Sequence, residues 1–348
     1  MLSIVAPGVC SGEEAGGSAG EPSASESPRL ATRGLDPVLM RQVRMQAEAL
    51  PRLHALIVAR HGDVIAEHRL RGPALDRPAN IKSVSKAVLS ALVGIGIGRG
   101  VLEGARQKIA PILRADVPAA PDPRIERIEV GHLLSMQAGL ERTSGPNYGA
   151  WVASPNWVRY ALSQPFVDEP GGQMLYSTGS THLLSAILTR RSRRSTLQLA
   201  RDWLGPLKDF SIGAWERDPQ GIYLGGNQMA MTTKSLLAFG ELYRNGGKTP
   251  EGRQLISPVW IEQSWALRTH SRFTGDGYGY GWFHRHAGAQ DVRYAWGYGG
   301  QMLYIVPDLD LTVVMTSDEN GPSARSGHRD DLHDLLERII ETARQAEG

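Results

Sequence analysis

The residues with the clearest chemical potential are a serine and a lysine three positions apart, Ser83 and Lys86, at the predicted start of an apolar helix. At positions i and i+3 two side chains share one helix face, so the amine can lie beside the hydroxyl. A partly desolvated lysine with a lowered pKa can act as the base that activates a serine. Backbone N–H groups at the start of a helix can also hold an oxyanion. The pair indicates an acyl-transfer nucleophile, whereas an N-capping serine beside a solvent-exposed lysine is the alternative.

Two segments downstream strengthen the catalytic interpretation. A Pro-Gly-Gly turn leads to Tyr176-Ser177-Thr178, and a glycine-rich stretch, Trp296-Gly297-Tyr298-Gly299-Gly300-Gln301, runs into the apolar strand predicted at Met302 to Val306. The tyrosine could instead be a core residue, and the glycines could form a bulge without function. The order of Ser/Lys, then Tyr, then a glycine-rich strand is typical of the S-x-x-K penicillin-recognising enzymes.

From about residue 50 to 345, the chain resembles the serine β-lactamase-related (class C-like) hydrolase superfamily, in particular its esterase and nylon-oligomer (6-aminohexanoate dimer) hydrolase branch. Four more segments match motifs of that family, at 133–140, 223–226, 231–236 and 277–282. The resemblance implies an α/β fold of the β-lactamase and penicillin-binding-protein type. In that fold an antiparallel sheet is flanked by helices, an α-rich domain is inserted, and the active site lies in the cleft between the two.

The resemblance also implies roles for individual residues. Ser83 would attack the acyl carbon, while Lys86 and Tyr176 would move protons, and which of the two is the formal base stays open because coupled groups titrate together. The backbone of Gly299-Gly300-Gln301 would complete an oxyanion hole with the Ser83 N–H. No metal or other cofactor is expected, because no histidine pair has the context of a metal ligand.

Two departures from the family pattern bear on the substrate. Thr178 stands where relatives carry the asparagine of Y-x-N, and Tyr298 lies in a third motif that lacks the cation of K-T-G. The cation helps to hold a substrate carboxylate, so an uncharged ester is expected to be a better substrate than a β-lactam. Tyr148, Trp151 and Trp157 are candidates for an apolar acyl pocket, with core packing as the alternative, above all for Trp157.

Composition excludes several classes of protein. A net charge of +2 over 348 residues gives no electrostatic footprint for nucleic acid, and no apolar run approaches the roughly 18 residues of a membrane span. The apolar segment Leu2 to Cys10 lacks the basic flank of a secretory signal. Cys10 is the single cysteine, which fits a reducing compartment. We therefore expect a cytoplasmic rather than an exported protein, without nucleic-acid or membrane partners.

The element pattern predicts the organisation of the chain. Residues 1–34 cannot assemble a core and are expected to be a disordered tail. Residues 35–104 and 220–348 are assigned to the α/β domain, and residues 105–219 to the α-rich domain. The pattern predicts helices at 37–50, from Ser83 to Gly98 or Gly100, at 233–245, 258–267 and 329–346, a hairpin of 56–60 with 64–68, and two or three strands between 278 and 316.

These observations predict a serine hydrolase that cleaves carboxylic esters or small amides through an acyl-enzyme. The first alternative is a catalytically weak penicillin-binding or sensor-type domain that keeps the fold. The second is a β-lactamase or peptidase of the same fold. All three candidate catalytic side chains are present, which favours an enzyme.

Overall fold

An antiparallel sheet of eight strands forms the centre of the fold. The computed structural model describes Leu35 and residues 37–345. In chain order its strands are β1 (Leu53–Arg60), β2 (Asp63–Arg69), β3 (Ala79–Asn80), β4 (Ala214–Trp215), β5 (Met229–Met231), β6 (Thr269–His270), β7 (Gly277–Tyr278), β8 (Phe283–Ala287), β9 (Gln290–Gly297), β10 (Gln301–Val306) and β11 (Leu311–Ser317). The large sheet has the order β2-β1-β11-β10-β9-β8-β7-β6, and β3, β5 and β4 form a small second sheet.

The central strands are buried on both faces, because helices cover each side of the sheet. The helices are α1 (Pro37–Ala49), α2 (Ser85–Gly98), α3 (Ala110–Leu113), α4 (Val130–Leu134), α5 (Tyr148–Val152), α6 (Trp157–Leu162), α7 (Thr178–Ser192), α8 (Thr196–Leu204), α9 (Thr233–Arg244), α10 (Pro258–Trp265) and α11 (His328–Gln345). Along β1 the side chains alternate between two cores: Ile57 packs with α2, α7 and α9, whereas Leu56 and Val58 pack with α1 and α11. This period of two is what a strand requires.

Most predicted elements are present within one or two residues of their expected bounds, including α1, α9 and α11. The number of strands near the C-terminus was underestimated. Four strands and the end of a fifth lie between 278 and 316, where two or three were expected. One reason is that strands such as β8 do not form an apolar run: its His284, Arg285 and His286 are at least partly exposed.

The described residues fall within one compact unit, so the division into two domains stays a prediction. The expected tail, residues 1–34, lies outside the described residues, as does Cys10. Within the described part of the chain, no helix combines the length and the apolar character needed to cross a bilayer.

Candidate active site

Ser83 lies in a single 3-10 turn, Lys82–Val84, directly before α2. The nucleophile therefore precedes the α-helix instead of opening it, and Lys86 occupies the helix's first turn. Lys82 has a φ of +51°, a left-handed conformation that only the surrounding packing can hold in a lysine. The Lys86 Nζ lies 2.9 Å from the Ser83 Oγ.

Lys86 is 2% exposed, and its amine has three oxygen neighbours. These are the Ser83 Oγ, the Thr178 Oγ1 at 3.3 Å and the Gly226 carbonyl at 2.6 Å. Burial lowers the pKa of Lys86 to about 7, because the charged form is disfavoured away from water. A neutral amine has two hydrogens and one lone pair. With the hydrogens donated to Thr178 and Gly226, the lone pair faces the Ser83 hydroxyl.

Tyr176 completes this group of side chains from the segment before α7. Its half-buried ring lies 5.0 Å from the Lys86 Nζ and packs against Tyr278 and Phe283. Burial raises the pKa of Tyr176 to about 12, although a hydrogen bond with the Ser83 side chain acts in the opposite direction. At neutral pH the phenol is therefore protonated and can donate a proton.

Thr178 is committed to an internal hydrogen-bond network. Its side chain is 4% exposed, and its Oγ1 lies 3.0 Å from the Ser144 Oγ as well as near Lys86. The Thr178 N–H also donates to the Ser144 Oγ at 2.8 Å. Thr178 thus positions the amine from a place where it has little surface for a substrate. Sequence reasoning missed Ser144, because a serine in a loop carries no signal of a partner 34 residues away.

The glycine-rich segment forms a tight turn between β9 and β10. The Gly300 N–H donates to the Gly297 carbonyl at 3.1 Å, and Gly299 has a φ of +89° at the third position of the turn, which suits a type II turn. Gly297 lies against the residues before the nucleophile: a Cβ there would be 2.4 Å from the Ile81 carbonyl. The turn is therefore anchored beside Ser83 through a position that admits only glycine.

Two backbone N–H groups at this junction are free. Among residues 37–345, neither the Ser83 N–H nor the Tyr298 N–H has a hydrogen-bond acceptor. Tyr298 directly follows Gly297, which packs against the Ile81 carbonyl before the nucleophile, whereas the sequence suggested Gly299, Gly300 and Gln301. The Gly300 N–H is already used inside the turn. The pair of Ser83 and Tyr298 is the better candidate for an oxyanion hole.

The other residues of the turn have structural contacts. Gln301 is 2% exposed, and its side-chain amide exchanges two hydrogen bonds with the Ser317 backbone. Gly300 packs on the His328 ring. The Gln301 side chain is thus fixed between two strands and is not directed at a substrate.

An ion pair links the nucleophile segment to the far side of the turn. The Lys82 Nζ lies 2.7 Å from a Glu319 carboxylate oxygen, and Gly299 packs against the backbone of Asp318 and Glu319. The cation nearest the nucleophile in sequence therefore already has a carboxylate partner.

The aromatic residues predicted to line a pocket separate into two groups. Tyr148 is half-buried, and its hydroxyl accepts from the Asn227 Nδ2 at 2.9 Å, next to the Gly226 carbonyl that holds Lys86. Trp151 is 0% exposed and donates from its Nε1 to the Trp157 carbonyl. Trp151 and Trp157 thus pack in the core, which leaves Tyr148, with the 50% exposed ring of Tyr298, as candidate substrate contacts.

The sequence model of one family, described as "Beta-lactamase", matches residues 53–337. The chain belongs to this family. The predicted superfamily and its fold are confirmed, and the chain is a hydrolase-family protein of the β-lactamase fold.

Several known proteins are similar to this family member. The 6-aminohexanoate-dimer hydrolase of Paenarthrobacter ureafaciens is 24% identical over 304 residues, covering 79% of this chain and 74% of the relative. A penicillin-binding protein homolog from Caulobacter crescentus has a TM-score of 0.70 at 17% identity, with 89% and 99% of the two chains covered. EstCE1, described as a hydrolase with promiscuous acyltransferase activity, has a TM-score of 0.69 at 18% identity, with 86% and 98% covered.

Metal-ligating side chains do not cluster in the described part of the chain. No group of three or more His, Cys, Asp and Glu residues is arranged there to hold a metal ion.

Proposed function

We propose that the protein is a serine hydrolase that cleaves carboxylic esters and small amides through an acyl-enzyme on Ser83. The observation that carries this proposal is the buried Lys86 amine, 2.9 Å from the Ser83 Oγ, with a pKa lowered to about 7. A lysine with this pKa is partly neutral at physiological pH and can take a proton from the serine.

In the acylation step, the Ser83 Oγ forms a bond to the acyl carbon while its proton passes to Lys86. The carbonyl electron pair moves to the oxygen, which the Ser83 and Tyr298 N–H groups stabilise. The intermediate then collapses, and the bond to the leaving group breaks. The leaving oxygen or nitrogen takes the Tyr176 proton, which Lys86 replaces.

Deacylation uses the same groups in reverse. Water attacks the acyl carbon and gives its proton through the Tyr176 hydroxyl to the neutral Lys86 amine. The bond between the acyl carbon and the Ser83 Oγ then breaks, and the Ser83 Oγ takes this proton back from Lys86. The pKa of Tyr176 near 12 supports a role as proton carrier and donor. Lys86 is then the group that changes charge near neutral pH.

The substrate is proposed to be uncharged near the third motif. The motif offers no cation of its own, and the neighbouring Lys82 is paired with Glu319 at 2.7 Å. The names of the relatives, a dimer hydrolase and an acyltransferase-active hydrolase, support linear amides and esters as substrate classes. The hydrolysis of p-nitrophenyl butyrate should exceed that of nitrocefin in kcat/KM by about ten- to a hundredfold, the effect of one missing charge-assisted contact.

A fluorophosphonate probe tests the proposal directly. The probe should add to Ser83, located by mass spectrometry of the peptide, and Ser83→Ala should remain unlabelled. Hydrolysis of p-nitrophenyl butyrate beyond one equivalent shows turnover. If the probe labels Ser83 but untreated protein releases only one equivalent of p-nitrophenol, the sensor-type alternative is indicated. A wild-type protein that the probe does not label would contradict both functions.

A further inference from the structure

A buried histidine–aspartate pair lies beneath the loop that supplies the Gly226 carbonyl to Lys86. His182 on α7 and Asp218 have side chains that are 0% exposed, and the His182 Nε2 lies 3.0 Å from the Asp218 Oδ2. Trp151 and Trp157 contact the imidazole ring in edge-to-face geometry. The acylation scheme makes no direct use of this pair.

The hydrogen bonds define the histidine tautomer. The Gly225 N–H donates to the His182 Nδ1 at 3.3 Å, so the Nδ1 is an acceptor and carries no proton. The Nε2 therefore carries the hydrogen and donates it to Asp218. Asp218 is in turn fixed by the N–H groups of Gln220 and Ile222, which both donate to its Oδ1 at 2.8 Å.

This network ends at the catalytic amine. Gly225, held by the His182 Nδ1, also has its carbonyl bound by the Thr181 Oγ1 at 3.0 Å. The next carbonyl, that of Gly226, accepts from the Lys86 Nζ at 2.6 Å. The loop approaches so closely that a Cβ on Gly226 would lie 2.7 Å from the Lys86 Cγ. The loop therefore both orients the amine and excludes water from it.

We propose that His182 and Asp218 are positioning residues that hold the Gly225–Gly226 backbone on Lys86, so that the amine's lone pair faces the nucleophile. The inference rests on the proposed function, because it assigns a task to the pair within that reaction. Asp218 acts by selecting the tautomer that leaves Nδ1 free to accept. The titratable group beside the amine is Tyr176, whose ring lies 5.0 Å from the Lys86 Nζ.

Asp218→Asn is the sharpest test, because it changes one atom type without changing volume. The asparagine Oδ1 still accepts from the loop, but its amide hydrogens face the Nε2, which must become an acceptor. The proton then moves to Nδ1 and opposes the Gly225 N–H. We expect kcat for p-nitrophenyl butyrate to fall about tenfold to a hundredfold, as for a small misplacement of a reacting group. The acid limb of kcat/KM should move to higher pH, since water admitted to Lys86 relieves its desolvation.

A second substitution that restores the pH profile distinguishes a positioning role of the pair from a role in protein stability. In Asp218→Asn/His182→Asn the asparagine at 182 offers an oxygen near the Nδ1 position, which should restore the acid limb towards that of the wild type. Asp116→Asn is the matched control: this carboxylate is also buried and ion-paired, with Arg190, but away from Lys86. It should lower the melting temperature without moving the limb.

If Asp218→Asn does not fold, a second variant tests the same proposal. Thr181→Val removes the hydroxyl that holds the Gly225 carbonyl at almost constant volume, and it should move the acid limb in the same direction. If Asp218→Asn and Thr181→Val leave the limb and kcat unchanged, or only lower the melting temperature, the positioning role is wrong. A wild-type protein inert to the fluorophosphonate would instead refute the proposed function itself.

Discussion

Lys86 and the turn from Gly297 to Gly300 both lie against the segment around Ser83, but different kinds of contact hold them in place. On the base side, formed by Lys86, Tyr176 and Thr178, side-chain atoms contact one another in a buried network. On the turn side, beside the Lys82–Glu319 ion pair, the closest approaches are made by backbone atoms. There, Gly297 and Gly299 allow the chain to approach the Ile81 carbonyl and the Asp318 backbone.

This difference indicates which changes should impair each side. The base side depends on chemical groups and on the exclusion of water, so its function should be sensitive to pH and to isosteric changes of polar atoms. The turn side depends on close packing of the backbone, so a single added methyl group should disturb it. Its donors are backbone N–H groups that do not titrate, so its function should not depend on pH. Four changes, ordered by the size of the expected effect, test this contrast.

Ser83→Ala removes the atom on which both sides act. We expect the loss of at least about a thousandfold in kcat/KM, as is typical for a catalytic nucleophile. The melting temperature should change little, because Ser83 is a half-buried, small residue. Ester hydrolysis and thermal unfolding, measured on the same preparation, check this. Retention of more than a few per cent of activity would exclude Ser83 as the nucleophile.

Lys86→Met and Tyr176→Phe break the base side with little change in side-chain volume. Each should lower kcat by several orders of magnitude, and the double variant should be scarcely worse than the poorer single one. Groups that act as a unit give such non-additive losses. The comparison of single and double variants in one assay tests this, and independent, multiplying losses would show that the two residues act separately.

Gly297→Ala is directed at the turn side. Its Cβ would lie 2.4 Å from the Ile81 carbonyl, so the turn must move and the Tyr298 N–H with it. Loss of one oxyanion donor costs about 100- to 1000-fold in kcat. Gly98→Ala, at the end of α2 where a Cβ meets no atom within 4 Å, is the matched control and should keep full activity. Equal activity of the two alanine variants would rule out this turn as an oxyanion site.

The pH profile of kcat/KM tests the contrast between the two sides, and it is the prediction with the smallest expected effect. The pKa of Lys86 is lowered to about 7, so the neutral, basic form grows as the pH rises through this value. In the wild type kcat/KM should therefore increase from pH 5 to 8 with a midpoint near 7. Gly297→Ala should show a lower plateau with the same midpoint. A wild-type profile that is flat over this range would mean that Lys86 is not the base.

Much of the fold could be predicted from the sequence, because its signals are local. The hydrophobic period and turn residues of α1, β1 and α9 fixed these elements to within a few residues. The number of C-terminal strands was underestimated, because strands such as β8 are interrupted by polar side chains. The glycine-rich turn after β9 was predicted as an oxyanion site, and that role stays a prediction. Which of its backbone N–H groups are used inside the turn could not be predicted, since backbone N–H groups carry no signature in the residue types.

The sequence by itself determined the family, the fold class and the three side chains that could react, because these follow from the order and spacing of Ser83, Lys86 and Tyr176. Only the tertiary structure decided which contacts surround them. Trp151 lies in the core, the Thr178 hydroxyl lies between Ser144 and the Lys86 amine, and the Gly226 carbonyl accepts a hydrogen bond from Lys86. The physical reason is that desolvation and hydrogen-bond partnership arise from residues distant in sequence. The lowered pKa of Lys86 therefore belongs to the folded surroundings and not to the motif.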